Sequence, residues 1–369
     1  MSELNASNLR KEHGNEGPDL VGVTELTSPY YMVPPSGTTA ERPENPQPGT
    51  LRFNTDIGSL EYFKGDTVGW EQIVRNSNQN FDGGVRGVYG GASSPSNSAL
   101  NTIDYITIST LGDAQEFGDE IGTYIWIGCC SSHVRGVMMC GYNNQNVIQY
   151  LTMSSKGDTQ DFGDSTDARH QNTAISNRIR GIAVGGTHPA RVDTMDYVTI
   201  SQTGNAVDFG NLLAAMTFGG TAASSTRGII AGGSTPTALN TIQYITFATT
   251  GNAIDFGDLI TGKQAPRAVG SPTRAVFRGD SDTLEYRTIA TLGNAIDFGD
   301  MHEKQGDTNT CSSPTRGVFP GRSFTSGSYA LNNIEYVTIA TTGDSKDFGD
   351  ATDDFSGHTG YMSTGHGGL

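Results

Sequence analysis

The stretch Asn240-Thr-Ile-Gln-Tyr-Ile-Thr-Phe-Ala-Thr-Thr-Gly-Asn-Ala-Ile-Asp-Phe-Gly-Asp258 decides the fold, because the chain carries six versions of it. The tyrosine recurs at Tyr105, Tyr150, Tyr197, Tyr244, Tyr286 and Tyr336. A phenylalanine follows at one constant spacing, at Phe117, Phe162, Phe209, Phe256, Phe298 and Phe348. Upstream of every tyrosine stands an Arg-Gly/Ala-Val/Ile opening, at Arg86, Arg135, Arg180, Arg227, Arg274 and Arg316. The step from each phenylalanine to the next arginine is also the same every time. Only the interval from arginine to tyrosine is elastic, shortest from Arg274 to Tyr286 and longest from Arg316 to Tyr336. Successive phenylalanines thus recur roughly every 40–50 residues, and a period of that length with one variable loop is that of a propeller blade.

Residue types within the repeat predict three strands per copy. The position two beyond each arginine is always β-branched (Val88, Val137, Ile182, Ile229, Val276, Val318), and the fifth is glycine except at Cys140. This reads as a short inner strand against which other backbones pack closely. Around the tyrosine, apolar residues occupy both alternations, as in Ile103, Ile106 and Ile108, which predicts a strand covered on both faces. Gly112, Gly157, Gly204, Gly251, Gly293 and Gly343, each followed by Asp or Asn, predict tight turns before the phenylalanine strand. After Phe348 no further unit begins, but His366 stands as far beyond Phe348 as Arg316 does beyond Phe298, in the slot of an arginine. Residues 351–369 are therefore expected to supply a strand to the first blade and close the ring. The fold class expected is all-β, a six-bladed β-propeller over 81–369.

Residues 1–80 share none of this. Residues 1–50, with Pro34, Pro35, Pro43, Pro46 and Pro48, are expected to form an extended arm. Residues 51–80 are expected to form a small β-hairpin module, with strands Leu51–Asn54 and Leu60–Phe63 and a short third strand at Trp70.

Net charge is −16, with 39 acidic against 23 basic residues, which excludes a phosphate-binding surface of the nucleic-acid kind. Cys129, Cys130, Cys140 and Cys311 have no metal-ligand spacing and read as buried free thiols. Residues 1–25 lack a signal-peptide pattern and no run of apolar residues is long enough to span a bilayer, so no membrane insertion is expected.

Two resemblances add to this reading. The Pro-rich lead followed by Gly49-Thr-Leu-Arg-Phe-Asn-Thr-Asp-Ile-Gly-Ser-Leu-Glu-Tyr-Phe63 resembles a module of bacteriophage tail-fibre and other virion proteins. The repeat, as in Asn240–Asp258, resembles repeats in structural proteins of phages infecting marine cyanobacteria, and is similar in outline to kelch repeats. Kelch units, however, place a tryptophan closer to the tyrosine than the phenylalanine found here. The resemblance implies a virion protein made in the host cytoplasm. Residues 1–80 would dock on other tail or capsid proteins, the propeller would meet a host polysaccharide or receptor, and the chain would form a homo-oligomer in the particle.

Chemical constellations do not rise above the repeat. Asp-Phe-Gly recurs as a structural period, without the nucleotide loop of a kinase. The acid after each Phe-Gly (Asp119, Asp164, Asp258, Asp300, Asp350) reads as a turn cap in preference to a calcium ligand, and the repeated arginine as its partner across a blade. No pair of carboxylates stands out as a hydrolase would require. The expectation is a non-enzymatic adhesion protein without cofactor or metal. A purely architectural nozzle, collar or capsid-decorating subunit is the alternative, and a polysaccharide depolymerase the third. The candidate binding residues are the individual ones in the elastic loops: Tyr142, His188, Arg191, Arg322, Phe324 and Tyr329.

Overall fold

Each tyrosine sits on the third strand of a four-stranded antiparallel sheet in the computed structural model, between the arginine strand and the phenylalanine strand. The structure describes residues 34–72 (without 57 and 68), 85–90, 101–141, 145–279, 281–302, 310–320, 324–325, 328–329, 333–350 and 360–369. Contacts divide the chain into two units, Met1–Asn76 and Ser77–Leu369.

The second unit is all-β. Its second sheet is typical, with strands Gly128–Ser131, Arg135–Gly141, Gln145–Thr152 and Gln160–Asp164 in sequence order. The third, fourth, fifth and sixth sheets repeat that order, their first strands being Thr173–Ser176, Gly220–Ala223, Arg267–Gly270 and Cys311–Ser312. The first sheet takes its first strand from far along the chain: Gly360–Ser363 pairs with Arg86–Gly90, followed by Thr102–Thr107 and Gln115–Asp119. The arginine strand is thus second in its sheet, which corrects its reading as the inner strand. The strand that takes the inner place is made of small residues such as Gly-Cys-Cys-Ser and Gly-Thr-Ala-Ala, which carry little β-signal. The six first strands neighbour one another in order, and the sixth returns to Gly360–Ser363.

Neighbouring sheets are joined by one set of bonds used six times. Each arginine lies over the tyrosine of its own sheet, 4.2 Å from the ring centroid for Arg274 and Tyr286, and donates from Nη1 to carbonyls of the next sheet. Arg180 reaches Phe247 O at 2.6 Å, and Arg316 reaches back to Ile108 O of the first sheet at 3.1 Å. The expected pairing of this arginine with a carboxylate is therefore wrong. The guanidinium instead satisfies strand-end carbonyls while its plane stacks on an aromatic face. The tyrosine in turn meets its phenylalanine edge to face, at 5.8–6.1 Å in every copy.

The Gly-Asp/Asn turns also work between sheets. Gly251 N–H donates to Phe209 O at 2.7 Å, and Asn252 Oδ1 accepts from the N–H of Asn211 at 3.0 Å. The same pair of bonds joins the sixth sheet to the first, through Gly112 with Phe348 O (3.1 Å) and Asp113 Oδ1 with the Asp350 N–H (3.2 Å). The residue after Phe-Gly therefore takes part through its main chain, not by capping its own turn with its carboxylate. These bonds require close backbone approach: a Cβ on Gly210 (φ +140) would stand 2.5 Å from the Gly251 carbonyl. Hydrophobic layers fill the same interfaces, the one between sixth and first sheets holding Ile106, Ile108, Val318, Ile334 and Phe348.

One polar position escapes the sequence reading. The residue before each tyrosine (Asp104, Gln149, Asp196, Gln243, Glu285, Glu335) is polar and buried in all six sheets. In the second to sixth sheets its side chain accepts from residues that follow the fourth strand of the preceding sheet, as Gln243 Oε1 does from Leu213 N–H (2.9 Å) and Glu285 Oε2 from Ile260 N–H (2.8 Å). Burial without such partners would cost about 1–3 kcal/mol each.

The first unit begins earlier than expected. Ser36–Gly37 pairs in parallel with Leu51–Asn54, which continues to Ser59–Phe63 and Trp70–Gln72. An arm extended as far as residue 50 is therefore too long. Residues 1–33 lie outside the described residues. The buried Glu61 holds this sheet together, accepting from Arg42 at 2.6 Å, Asn54 at 3.1 Å and Arg52 at 3.3 Å. Arg42 above all, then Asn54, holds the Glu61 carboxyl below the usual carboxylate value. The folded value is thus lower than the unfolded one. Its stabilisation is complete above the unfolded carboxylate pKa and disappears as pH falls through the folded one. In the full chain with Trp126→Phe, Trp70 emission should report loss of this unit on acidification, and Glu61→Gln should flatten that acid dependence.

Candidate functional site

Antiparallel pairing places the elastic loops together. Each joins the end of a second strand to the start of a third, so all six emerge at the same end of their sheets. The start of each first strand lies at that end too. Of the six candidate residues, Tyr142 and Arg322 lie outside the described residues. Phe324 and Tyr329 face each other in register across a two-stranded ribbon, Phe324–Thr325 with Ser328–Tyr329. His188 and Arg191 are exposed on the loop of the third sheet, where Thr187 bridges both His170 and Arg191. The six candidates come from three sheets. What the structure brings to His188 is His170, whose own pKa is lowered, first by burial and then by the charge of His188.

His170 leads to a feature that the sequence does not announce. Its ring stacks on Trp126 at 5.8 Å, and Trp126 meets Phe218 edge to face at 6.5 Å. Trp126, Gln171 and Phe218 each stand two residues before a first strand, and each has left-handed backbone (φ 60, 58 and 57). Main-chain bonds chain them, Gln171 N–H to Trp126 O and Phe218 N–H to Gln171 O, both 3.0 Å. Non-glycine residues in this region cost about 1–3 kcal/mol each and persist where surrounding structure enforces them.

Behind this aromatic group lies a cavity of about 130 Å³ enclosed by the six first strands. Its far end is lined by serines. Ser131 Oγ donates to Ser363 O (2.9 Å) and Ser176 Oγ to Ser131 O (2.9 Å), while Ser363 Oγ donates to Ser312 O. The fourth and fifth sheets interrupt this ring with Ala223 and Gly270. Residues 365–369 turn into that end. A Cβ on Gly367 would stand 2.3 Å from Ser271 O and 2.4 Å from Ala223 O, so the tail passes where only glycine fits.

His366 is not in an arginine slot. Thr364 occupies the position that Ser313 and Ser271 hold elsewhere: its Oγ1 accepts from Arg86 N–H at 2.9 Å, as Ser313 Oγ does from Arg316 at 2.9 Å. The strand pairing is one residue later than the sequence spacing suggests, since Ser363 stands opposite Gly87 as Ser312 does opposite Gly317. His366 instead bonds through Nε2 to Ser131 O (2.8 Å), and Nδ1 accepts from Gly368 N–H (3.2 Å). Burial pushes its pKa down to about 4, so it is a neutral ring at neutral pH.

The four cysteines are free thiols, of which Cys130, Cys140 and Cys311 are buried as expected and Cys129 is half-buried, and burial pushes the Cys130 pKa up to about 12. Among the described residues, no group of three His, Cys, Asp or Glu side chains is placed to hold a metal ion, and no helix is long and apolar enough to cross a membrane. No protein-family model matches the chain, and no curated protein matches it.

Proposed function

We propose that residues 81–369 form a six-bladed, kelch-like β-propeller that serves a phage virion as a non-enzymatic adhesion domain. In this reading the N-terminal residues dock it on the particle. The observation that carries the proposal is the separation of scaffold from loops. The recurring bonds between sheets involve the arginines, the Gly-Asp/Asn turns and the buried polar residue before each tyrosine. The second-to-third-strand loops vary in length and sequence without altering that scheme, and they gather at one end. Such loops are where binding residues are placed on rigid folds. The virion assignment itself rests on the resemblance of residues 30–369 to phage structural proteins.

An architectural subunit is the second reading, favoured by one surface. Val207, Ile254 and Ile296 are 55%, 55% and 50% exposed at equivalent positions of the fourth strands of three consecutive sheets. Exposed apolar residues in a row suit a protein neighbour.

Replacing Arg322, Phe324 and Tyr329 together with serine tests the first reading. Binding of labelled full-length protein to cyanobacterial cells is expected to weaken at least tenfold, with an unchanged melting curve. Binding that is undiminished overturns loop-mediated adhesion. Wild-type protein that ignores cells but binds purified virions transfers the assignment to the architectural reading.

A further inference from the structure

Within each sheet the first and second strands, and the third and fourth, are joined at the end opposite the elastic loops. Five turns of the first kind and six of the second stand there, since the first sheet takes its first strand from residues 360–363. Their composition departs from that of the chain. Of 39 acidic residues in a chain of net charge −16, only Asp113, Asp158 and Asp344 lie in these turns, and Lys156 and Arg178 nearly balance them. Each of the three carboxylates accepts a main-chain N–H of the preceding sheet through Oδ1, at 3.0–3.2 Å. The third, fourth and fifth sheets make the same bond with Asn205, Asn252 and Asn294, so the scaffold does not need the charge.

The same end is also apolar. Ten large hydrophobic side chains are exposed among the described residues of the second unit, and seven of them lie here. The row of three fourth-strand residues described above is joined by Leu111 and Leu292 in third-to-fourth-strand turns, and by Val134 (58% exposed) and Ile179 (60%) in first-to-second-strand turns. The remaining three, Ile121, Leu213 and Ile260, lie toward the loops. Fold requirements do not explain Val134 and Ile179. In all five first-to-second-strand turns the first residue, such as Ser132 or Asn177, accepts the N–H of the arginine through its side chain. The next two positions are left to vary, and they read His133-Val134 and Arg178-Ile179 where later sheets have Ser225-Thr226, Pro272-Thr273 and Pro314-Thr315. Arg178 Nη2 donates to His133 Nε2 at 3.3 Å, and Asn177 Nδ2 to Ser225 O at 3.0 Å. The turns of the second, third and fourth sheets therefore form one surface.

Charge selects the occupant. A basic partner would be drawn to Glu116 and its five equivalents, which stand exposed at the second position of every fourth strand. Sparing the turns their carboxylates matters for a partner as acidic as the chain itself, which apolar contact can then hold. A second copy is such a partner and presents the same surface. Under a two-fold axis, apolar turns meet apolar turns while both sets of loops point away. We propose that two copies of the chain pair back to back through this end of the second unit, with Val134 and Ile179 in the contact. The pairing gives a surface to the homo-oligomer implied by the resemblance, yet does not rest on the virion reading. Its failure would leave loop-mediated adhesion standing.

Sedimentation velocity of the full-length protein gives the test. A concentration-dependent dimer is expected, and it should tighten between about 0.1 M and 0.5 M salt as repulsion between the acidic fourth strands is screened. Val134→Glu with Ile179→Glu should weaken it at least about tenfold, with an unchanged melting curve because both side chains are exposed. Ile121→Glu with Leu213→Glu, equally exposed toward the loops, should leave it unchanged. Protein that stays monomeric up to about 100 µM overturns the proposal. So does an assembly that the Val134 and Ile179 changes leave intact, which places association elsewhere in the chain. Growth beyond dimers that weakens with salt would mean loop end against turn end, and also overturns it. The salt dependence of the wild-type protein decides between these even if a variant misfolds.

Discussion

Protein lacking residues 360–369 will lose cooperative unfolding of its second unit and will aggregate at concentrations where the intact chain is soluble. The deletion removes the partner on one side of strand Arg86–Gly90, leaving its N–H and C=O groups as an open edge. It also removes Met362 from the apolar layer between the first and second sheets, and the bonds of Ser363 to the strands on either side. Urea titration followed by Trp126 emission, with Trp70→Phe, gives the measurement. The expected trace is a broad transition at a much lower midpoint. A shorter deletion of 365–369 keeps the strand and Thr364, and should cost far less. If the long deletion unfolds at the same midpoint and slope as the intact chain, closure by this strand contributes nothing to stability.

The second large effect is expected at a buried ion pair. Arg169 Nη2 donates to Asp196 Oδ2 at 2.8 Å, both side chains being at most 1% exposed. Among the described residues, Arg169 Nε and Nη1 have no hydrogen-bond partner, so the pair only partly offsets the cost of its own burial. Asp196→Ala leaves a buried cation and strips Thr166 Oγ1 of its acceptor. The loss should be about 3–5 kcal/mol, or roughly 10 °C in Tm for a unit of this size. The double replacement Arg169→Met with Asp196→Leu should regain most or all of that loss. Should the double variant be less stable than Asp196→Ala alone, the pair is a net stabiliser in spite of its unmet donors.

The repeat is legible because its residues do two jobs at once. The tyrosine and phenylalanine mark neighbouring strands and also touch each other, with a constant spacing between them, while the arginine reaches its tyrosine whatever the length of the loop that joins their strands. The pairing of the last segment with the first arginine strand follows from the same count, with a one-residue error that places His366 in the wrong slot. The first strands are illegible for the opposite reason. They crowd together around the cavity and are short and made largely of glycine, alanine, serine and cysteine, whose β-propensity is weak, with at most an isolated Ile175, Val269 or Tyr361-Met362 to signal a strand. The polar residue before each tyrosine is visible in all six copies, but a strand covered on both faces gives no reason to expect a buried carboxylate until its inter-sheet partner is seen.

For the candidate site, the sequence marks individuality without position. His188 and Arg191 stand out for lacking counterparts, and they do lie at the loop end beside His170. Trp126, Phe218 and Arg267 are just as individual, but they precede or begin strands that the sequence does not reveal. Only the register of those strands brings them to one cavity.

The recurring Gly-Asp/Asn contact carries a consequence for how the chain becomes folded. In five of its six occurrences it links residues 36 to 44 apart, and in the sixth, between Asp113 and Asp350, residues 237 apart. Five interfaces can form progressively as successive sheets appear, each closing a loop of similar length. The sixth closes a loop some sixfold longer, a difference of only about 1.5 kcal/mol in chain entropy, yet it must wait until Asp350 has been synthesised, and the edge of the first sheet until residues 360–363 have followed. Until then the oldest arginine strand stands ready with its edge unpaired. The slowest and most aggregation-exposed step of folding therefore falls at the first sheet, although three of its four strands leave the ribosome before those of the other five sheets.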